Sequence, residues 1–393
     1  MQRPVVTAAL AAAALLLAAA CSSGGDGPAE PPSKGTASPT RSGSPTASAS
    51  AREAAPPAKG SVKVLRTMAK GLKSPWGLAE LPDGGLLVSS RDEGTITRVD
   101  PRTGKKTRIG EVPGVSPGGE GGLLGLALSP SFAKDHMVYA YFTSISDNRI
   151  VRMPYDAKRD PGQQLGAPST LLRGIPKGQV HNGGRIAFGP DKMLYAGTGE
   201  GGERDRAQRR DDLGGKILRM TPEGQPAPGN PFASEGGDAA YVYSYGHRNV
   251  QGLAWDSRQR LWASEFGQDT WDELNLIAPG DNYGWPDAEG RAHKAGLHDP
   301  VTQWRTSEAS PSGIAYVGGS VWTAALRGER LWRVPLRGTR LAADPQAFLT
   351  EKYGRLRTVV QAGDDRVWLV TSNTDSRGTP QKGDDRILEA RVR

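Results

Sequence analysis

Three features of the chain predict an all-β fold, a six-bladed β-propeller. Short runs of alternating apolar residues bounded by Gly, Pro and Asp recur, whereas helical periodicity is scarce. Many of these runs share one order: a Gly-x-Ala segment, a turn rich in Pro, Asp and Gly, then a strand of large apolar residues. The turns fall near residues 82, 130, 190, 256, 317 and 363, so a unit of 46 to 66 residues occurs six times. That length suits a blade built from short strands. A β-sandwich array is the runner-up architecture, but it gives no reason for one recurring turn order.

The first copy runs from Trp76-Gly77-Leu78-Ala79 to Leu86-Leu87-Val88, and the second from Leu124-Gly125-Leu126-Ala127 to Met137-Val138-Tyr139. The third joins Gly184-Arg185-Ile186-Ala187 to Met193-Leu194-Tyr195, and the fourth joins Gly252-Leu253-Ala254 to Arg260-Leu261-Trp262. A weaker fifth copy leads from Gly313-Ile314-Ala315 to Ser320-Val321-Trp322, and the sixth from Thr358-Val359-Val360 to Arg366-Val367-Trp368. A propeller gathers loops from several blades at one end of its channel, so residues far apart in sequence can meet there.

The N-terminal stretch is read apart from the fold. Arg3 and the Ala/Leu run from Ala8 to Ala20 resemble a signal peptide over residues 1–20, too short for a comfortable membrane span. Ala18-Ala19-Ala20-Cys21 is similar to a bacterial lipobox, which implies lipidation of Cys21, the one cysteine of the chain. An ordinary secretory signal is the alternative. Residues 22–60 hold no Val, Ile, Leu, Met, Phe, Trp or Tyr. Such a segment cannot bury enough apolar surface to offset its ordering entropy, so 21–60 is expected to be a disordered tether behind the lipidated Cys21. The expected location is therefore outside the cytoplasm, lipid-anchored to the cell membrane or secreted, with membrane contact only through the anchor. Residues 61–393 form the predicted propeller, which has to be stable without disulfides.

The formal charge of +8 is spread along the chain, and no Lys/Arg block with interleaved aromatics stands out. No nucleic-acid partner is expected. No His/Cys/carboxylate cluster has zinc spacing, no Gly-x-Ser-x-Gly elbow occurs, and no Gly-x-Gly-x-x-Gly run leads from a strand into a helix. Of five histidines, His181 and His247 lie at strand edges among glycines, in His181-Asn182-Gly183-Gly184-Arg185 and Gly246-His247-Arg248-Asn249. These stretches supply a candidate proton acceptor and a candidate anion-binding arginine.

At these residues the chain resembles the soluble pyrroloquinoline quinone (PQQ)-dependent glucose/sorbosone dehydrogenases, the aldose sugar dehydrogenases. The resemblance spans residues 64–393. It rests on Gly118-Gly119-Glu120-Gly121-Gly122-Leu123-Leu124-Gly125, His181-Asn182-Gly183-Gly184, Leu213-Gly214-Gly215-Lys216-Ile217-Leu218-Arg219 and Gly246-His247-Arg248-Asn249-Val250-Gln251-Gly252-Leu253. Asp272-Glu273-Leu274-Asn275-Leu276-Ile277 and Asn282-Tyr283-Gly284-Trp285-Pro286 follow in family order.

The resemblance implies a six-bladed propeller that oxidises an aldose at its anomeric hydroxyl to the lactone, with hydride transfer to PQQ assisted by a His base and Ca²⁺. It assigns His181 as the general base and a cofactor contact, and Arg248 and Asn249 as contacts of the quinone oxygens. Arg248 would stabilise charge on the reduced cofactor. Arg355 and Arg357 would grip PQQ carboxylates from one strand face, with Arg327 standing where the family commonly has a lysine. Glu120 falls where some members have a cofactor-binding glutamine, and Val180 replaces an aspartate of the best-known members.

Calcium would take the backbone carbonyls of Gly267 and Gln268, and Asp272 and Glu273 resemble ligands of further calcium. A charged turn capped by backbone amides is the other reading of those two acids. The expected partners are a sugar substrate and an electron acceptor that the sequence does not name. A calcium-dependent propeller lactonase and a non-catalytic binding propeller stay open at this point.

Overall fold

The computed structural model describes residues 55–393. The expected signal peptide, Cys21 and most of the expected tether lie outside the described residues. Six separate antiparallel sheets follow one another, built by strands in the order 62–69 with 356–392, then 75–111, 123–175, 186–245, 250–305 and 311–348. This is a six-bladed β-propeller. Among the described residues the one α-helix is the single turn Phe132–Asp135, and no helix is long and apolar enough to cross a membrane.

The sequence repeat marks the first hairpin of every blade. Pro75–Glu80 pairs with Leu86–Ser90, Leu123–Leu128 with Met137–Thr143, and Ile186–Phe188 with Leu194–Gly197. Val250–Trp255, Pro311–Val317 and Leu356–Gln361 pair likewise with the strands that follow them. One turn chemistry recurs. Asp83, Asp191 and Asp256 each accept, through Oδ1, the amide two residues on, at 2.8, 3.1 and 2.9 Å. An aspartate that mimics a backbone turn in this way fixes the reversal locally.

The recurrent glycine lets neighbouring blades approach. A Cβ on Gly77 would lie 2.7 Å from the Leu124 carbonyl oxygen, on Gly125 2.2 Å from that of Gly184, and on Gly252 2.4 Å from that of Ser312. In each case the obstacle is the backbone of the next blade's inner strand, which cannot yield as a side chain could. Hydroxyls complete the ring of inner strands. Ser89 Oγ donates to the Leu124 carbonyl, Ser264 Oγ to that of Ser312, and Thr358 Oγ1 to that of Trp76, each at 2.6 Å.

The circle closes between the two ends of the domain. Val62–Ala69 pairs antiparallel with Ile387–Val392 and so becomes the outer strand of the last blade. Leu86, Val88, Trp368, Val370 and Ile387 pack in one core across the seam between the last blade and the first. Residues 57–60, expected in the tether, lie against the fifth blade. The buried Arg333 donates to the Pro57 carbonyl at 2.8 Å, and Gln346 bonds both the Ala58 carbonyl and the Gly60 amide.

Candidate active site

The segments that lead into the inner strands converge on a cavity of about 530 Å³. Six arginines line it, Arg91, Arg248, Arg327, Arg355, Arg357 and Arg377, together with Glu120, Val180, His181 and Gly267. Residues far apart in sequence thus meet because each precedes or opens an inner strand, or follows a second strand, at the same end of the propeller.

His181 has a left-handed backbone (φ 58°). Two carboxylates hold it there. Glu120 Oε2 accepts the His181 amide at 2.9 Å, and Glu200 Oε1 lies 2.8 Å from His181 Nδ1. Glu200 is buried, and its other oxygen accepts the Gly202 amide. An ionised carboxylate at Nδ1 fixes the tautomer with the proton on that nitrogen. His181 Nε2 has no partner among the described residues, and its side chain is 14% exposed. The imidazole therefore offers one free basic nitrogen from the cavity wall.

Arg248 is buried, with Nη1 3.4 Å from the Phe266 carbonyl and its guanidinium over the Trp285 ring at 5.3 Å. Burial pushes it below the usual guanidinium range, and the carboxylates of Glu200, Glu289, Glu120 and Asp272 offset this only in part. Arg248 Nε and the neighbouring Asn249 Nδ2 are buried donors without partners. Asn249 Oδ1 is occupied by the Gly183 amide, which ties this loop to the His181 loop. Two adjacent buried donors left unpaired point to a missing acceptor.

Arg355 and Arg357 share one face as their spacing implies. Both reach Asp375 Oδ2, from Nη2 at 3.1 and 3.0 Å, and Arg357 Nη1 also donates to Gln251 Oε1 at 3.1 Å. Burial alone would raise Asp375, but Arg357 and Arg355 overcome it and hold the carboxyl at about 2. Burial pushes Arg357 down to about 10 despite Asp375, with Arg355 and Arg91 adding repulsion. One carboxylate serving two buried guanidiniums leaves a surplus of positive charge.

Arg327 is exposed at the cavity and has no protein partner among the described residues. Glu120, by contrast, is paired: its Oε1 takes Arg377 Nη2 at 3.0 Å. A carboxylate on the wall of an anion pocket is tolerated because that ion pair and the His181 amide occupy it.

Of the four expected calcium ligands, only Gly267 lines the cavity. The carbonyls of Gly267 and Gln268 accept no backbone hydrogen bond among the described residues. Asp272 and Glu273 sit behind this wall, capped by backbone amides. Asp272 accepts from Gly267 and Ser310, at 2.9 and 2.6 Å, and Glu273 accepts from Gly290 at 2.6 Å. Burial raises Asp272 to about 7, and burial with the nearby Glu265 raises Glu273 well above the usual carboxylate range. Among the described residues no group of three or more His, Cys, Asp or Glu side chains has metal-binding geometry.

His247, the other glycine-flanked histidine, is structural. It is fully buried between Ser244 Oγ (2.8 Å) and Glu265 Oε1 (2.9 Å) and stacks on Tyr283 at 4.7 Å. Sequence reasoning missed Glu200, Asp375, Arg91 and Arg377. Glu200 sits in the glycine-rich Gly197-Thr198-Gly199-Glu200-Gly201-Gly202, a signal open to use. Asp375 gave none.

The model of the family described as Glucose / Sorbosone dehydrogenase matches residues 72–379. The chain belongs to that family. It is 30% identical over 348 residues to the aldose sugar dehydrogenase YliI of Escherichia coli (strain K12), covering 81% of this chain and 92% of that protein. It is 31% identical over 262 residues to quinoprotein glucose dehydrogenase B of Acinetobacter calcoaceticus, covering 59% and 54%. Among solved structures, the PQQ-bound form of an aldose sugar dehydrogenase from Streptomyces coelicolor is 74% identical, with a TM-score of 0.84, covering 86% of this chain and all of that one. The family thus carries the same six-bladed architecture that the sequence repeat predicts.

Proposed function

We propose that this protein is a PQQ-dependent aldose sugar dehydrogenase that oxidises the anomeric C1 hydroxyl of its sugar to the lactone. The observation that carries the reading is a cavity walled by six arginines, with an imidazole held by a buried carboxylate on the same wall. The unpaired donors of Arg248 and Asn249 and the surplus charge of Arg355 and Arg357 fit a rigid, polyanionic, oxygen-rich cofactor. PQQ is such a molecule and, when bound, supplies the acceptor for the hydride leaving C1.

The protein's own groups do the rest. Arg355, Arg357 and Arg327 would hold the carboxylates of the bound cofactor, while Arg248 and Asn249 would donate to its quinone oxygens and stabilise negative charge there. His181 Nε2 takes the proton of the C1 hydroxyl. Glu200, through Nδ1, keeps the imidazole in the basic tautomer and stabilises the imidazolium that forms. Calcium would sit on the Gly267 and Gln268 carbonyls as a Lewis acid on the cofactor, and the free state of those carbonyls supports that place. Cys21 as a lipid anchor and a position outside the cytoplasm complete the proposal, with the electron acceptor open.

The test is dye-linked oxidation of an aldose panel by the purified protein, with and without PQQ plus Ca²⁺. Turnover that requires PQQ is expected, and His181→Ala should abolish most of it while PQQ still binds. Absence of PQQ binding, read from the quinone absorbance, would overturn the proposal.

A further inference from the structure

A seventh arginine lies on the far side of the cavity floor. Arg185 is 8% exposed, and its hydrogen-bond partners among the described residues are neutral. It lines a separate channel of about 400 Å³ that opens at the opposite ends of the inner strands, among Leu78, Leu126, Leu253 and Ile314. Its Nε donates to the Gln251 carbonyl at 2.8 Å and its Nη2 to Thr358 Oγ1 at 3.1 Å. The guanidinium also stacks over the Trp76 ring at 4.3 Å.

Two of these contacts lead to the anion-pocket side of the fold. Gln251 Oε1 accepts Arg357 Nη1, and Arg357 lies over the same Trp76 ring at 5.7 Å. Gln251 and Trp76 therefore couple Arg185 to a wall residue of the anion pocket. Burial pushes Arg185 down to about 9, and repulsion from Arg357 adds to this. A buried cation with only neutral partners is costly, and local costs of this kind concentrate at functional sites.

Resting on the PQQ reading above, we infer that Arg185 is a positioning residue for the cofactor, supplying a second tier of positive charge beneath the pocket floor and holding Gln251 and Trp76 against Arg357. It touches neither sugar nor cofactor. Its effect falls on how strongly the floor attracts an anion.

The experiment titrates PQQ into the metal-supplemented apoprotein and reads Kd from absorbance, for wild type, Arg185→Lys and Arg185→Met. Thermal melts establish that each variant folds. Arg185→Met should weaken PQQ binding at least about tenfold, while Arg185→Lys, which keeps the charge, should stay within about threefold of wild type. The loss should persist in high salt, because a buried charge is screened far less than an exposed one. Should Arg185→Met not fold, Arg185→Gln, which keeps a donor for the Gln251 carbonyl, is held to the same threshold. Wild-type affinity in the neutral variant overturns the inference. An Arg185→Lys loss as large as that of Arg185→Met also overturns it, since shape rather than charge would then be at stake. If wild type itself does not bind PQQ, the functional proposal falls first and this inference with it.

Discussion

Glu200→Gln isolates what the carboxylate behind His181 contributes. The substitution is close to isosteric, and the glutamine carbonyl can still accept the Nδ1 proton across the 2.8 Å contact. The contact to His181 is therefore kept and one negative charge removed, while the Gly202 amide, which Glu200 also accepts, loses its acceptor to the new NH2 group. The base role proposed for His181 starts from the neutral imidazole, which feels the lost charge little. In the proposed transition state the imidazole gains a proton, and there the lost charge matters. Two unit charges with centres about 4 Å apart interact by about 4 kcal/mol at an effective dielectric of about 20. Glu200 is buried but the histidine side chain is 14% exposed, so part of that is screened. A fall in kcat of between about 30-fold and 1000-fold is expected, corresponding to about 2–4 kcal/mol. The assay is dye reduction at saturating aldose on PQQ-loaded enzyme, with PQQ affinity measured in parallel. The double variant His181→Ala/Glu200→Gln should be no slower than His181→Ala alone, because the two residues act as one unit. A Glu200→Gln enzyme with wild-type kcat would refute the assignment of Glu200 as the group that supports the base.

Two further outcomes follow from Asp375. Asp375→Asn leaves Arg355 and Arg357 buried without their shared counter-charge, so the apoprotein should lose about 3–5 kcal/mol of stability. Calorimetry should show that deficit shrinking when PQQ is added, since the ligand's carboxylates replace the lost one. Asp375 also sets an acid limit. Its carboxyl is held at about 2 against an ordinary 3.8, so its stabilising effect is complete above the ordinary value and is lost as pH falls toward 2. The difference amounts to on the order of 2 kcal/mol. Chemical denaturation of wild type and Asp375→Asn across pH 5 to pH 2 should show the gap between them narrowing, and a constant gap would count against the ion pair.

The fold was legible because its information is local. Each blade begins with a hairpin of contiguous strand, turn and apolar return strand, with Gly-x-Ala in most copies and an Asp turn in three, so one grammar met six times gives the architecture. The closing strand was not legible. Val62–Ala69 alternates no better than its neighbours, and its partner Ile387–Val392 lies at the other end of the domain. Nothing local announces that pairing. The site divides the same way. His181, Arg248, Arg355 and Arg357 stand in recognisable motifs and do reach one cavity. Glu200 matters through burial and the imidazole it faces, Asp375 through burial and the two guanidiniums it faces, and those partners are not written in the neighbouring residues. His247 shows the converse. Its glycine-rich setting matches that of His181, yet Ser244, Glu265 and Tyr283 enclose it completely.

The distribution of charge explains how an anion pocket of this density stands when empty. Six guanidiniums on one wall would repel each other and lose hydration, and the fold answers with a carboxylate for some of them only. Asp375 serves Arg355 and Arg357, Glu120 serves Arg377, and Asp92 serves Arg91 at 2.6 Å. Arg248 and Arg327 receive none, and Arg185 below the floor receives none. Full neutralisation would remove the attraction for a polyanion, because an incoming carboxylate would have to displace a resident one. No neutralisation would leave several uncompensated buried cations, each costing several kcal/mol. Partial pairing keeps the pocket folded and still positive, and it leaves the unpaired donors of Arg248 and Asn249 close to His181, where the proposed reaction develops charge.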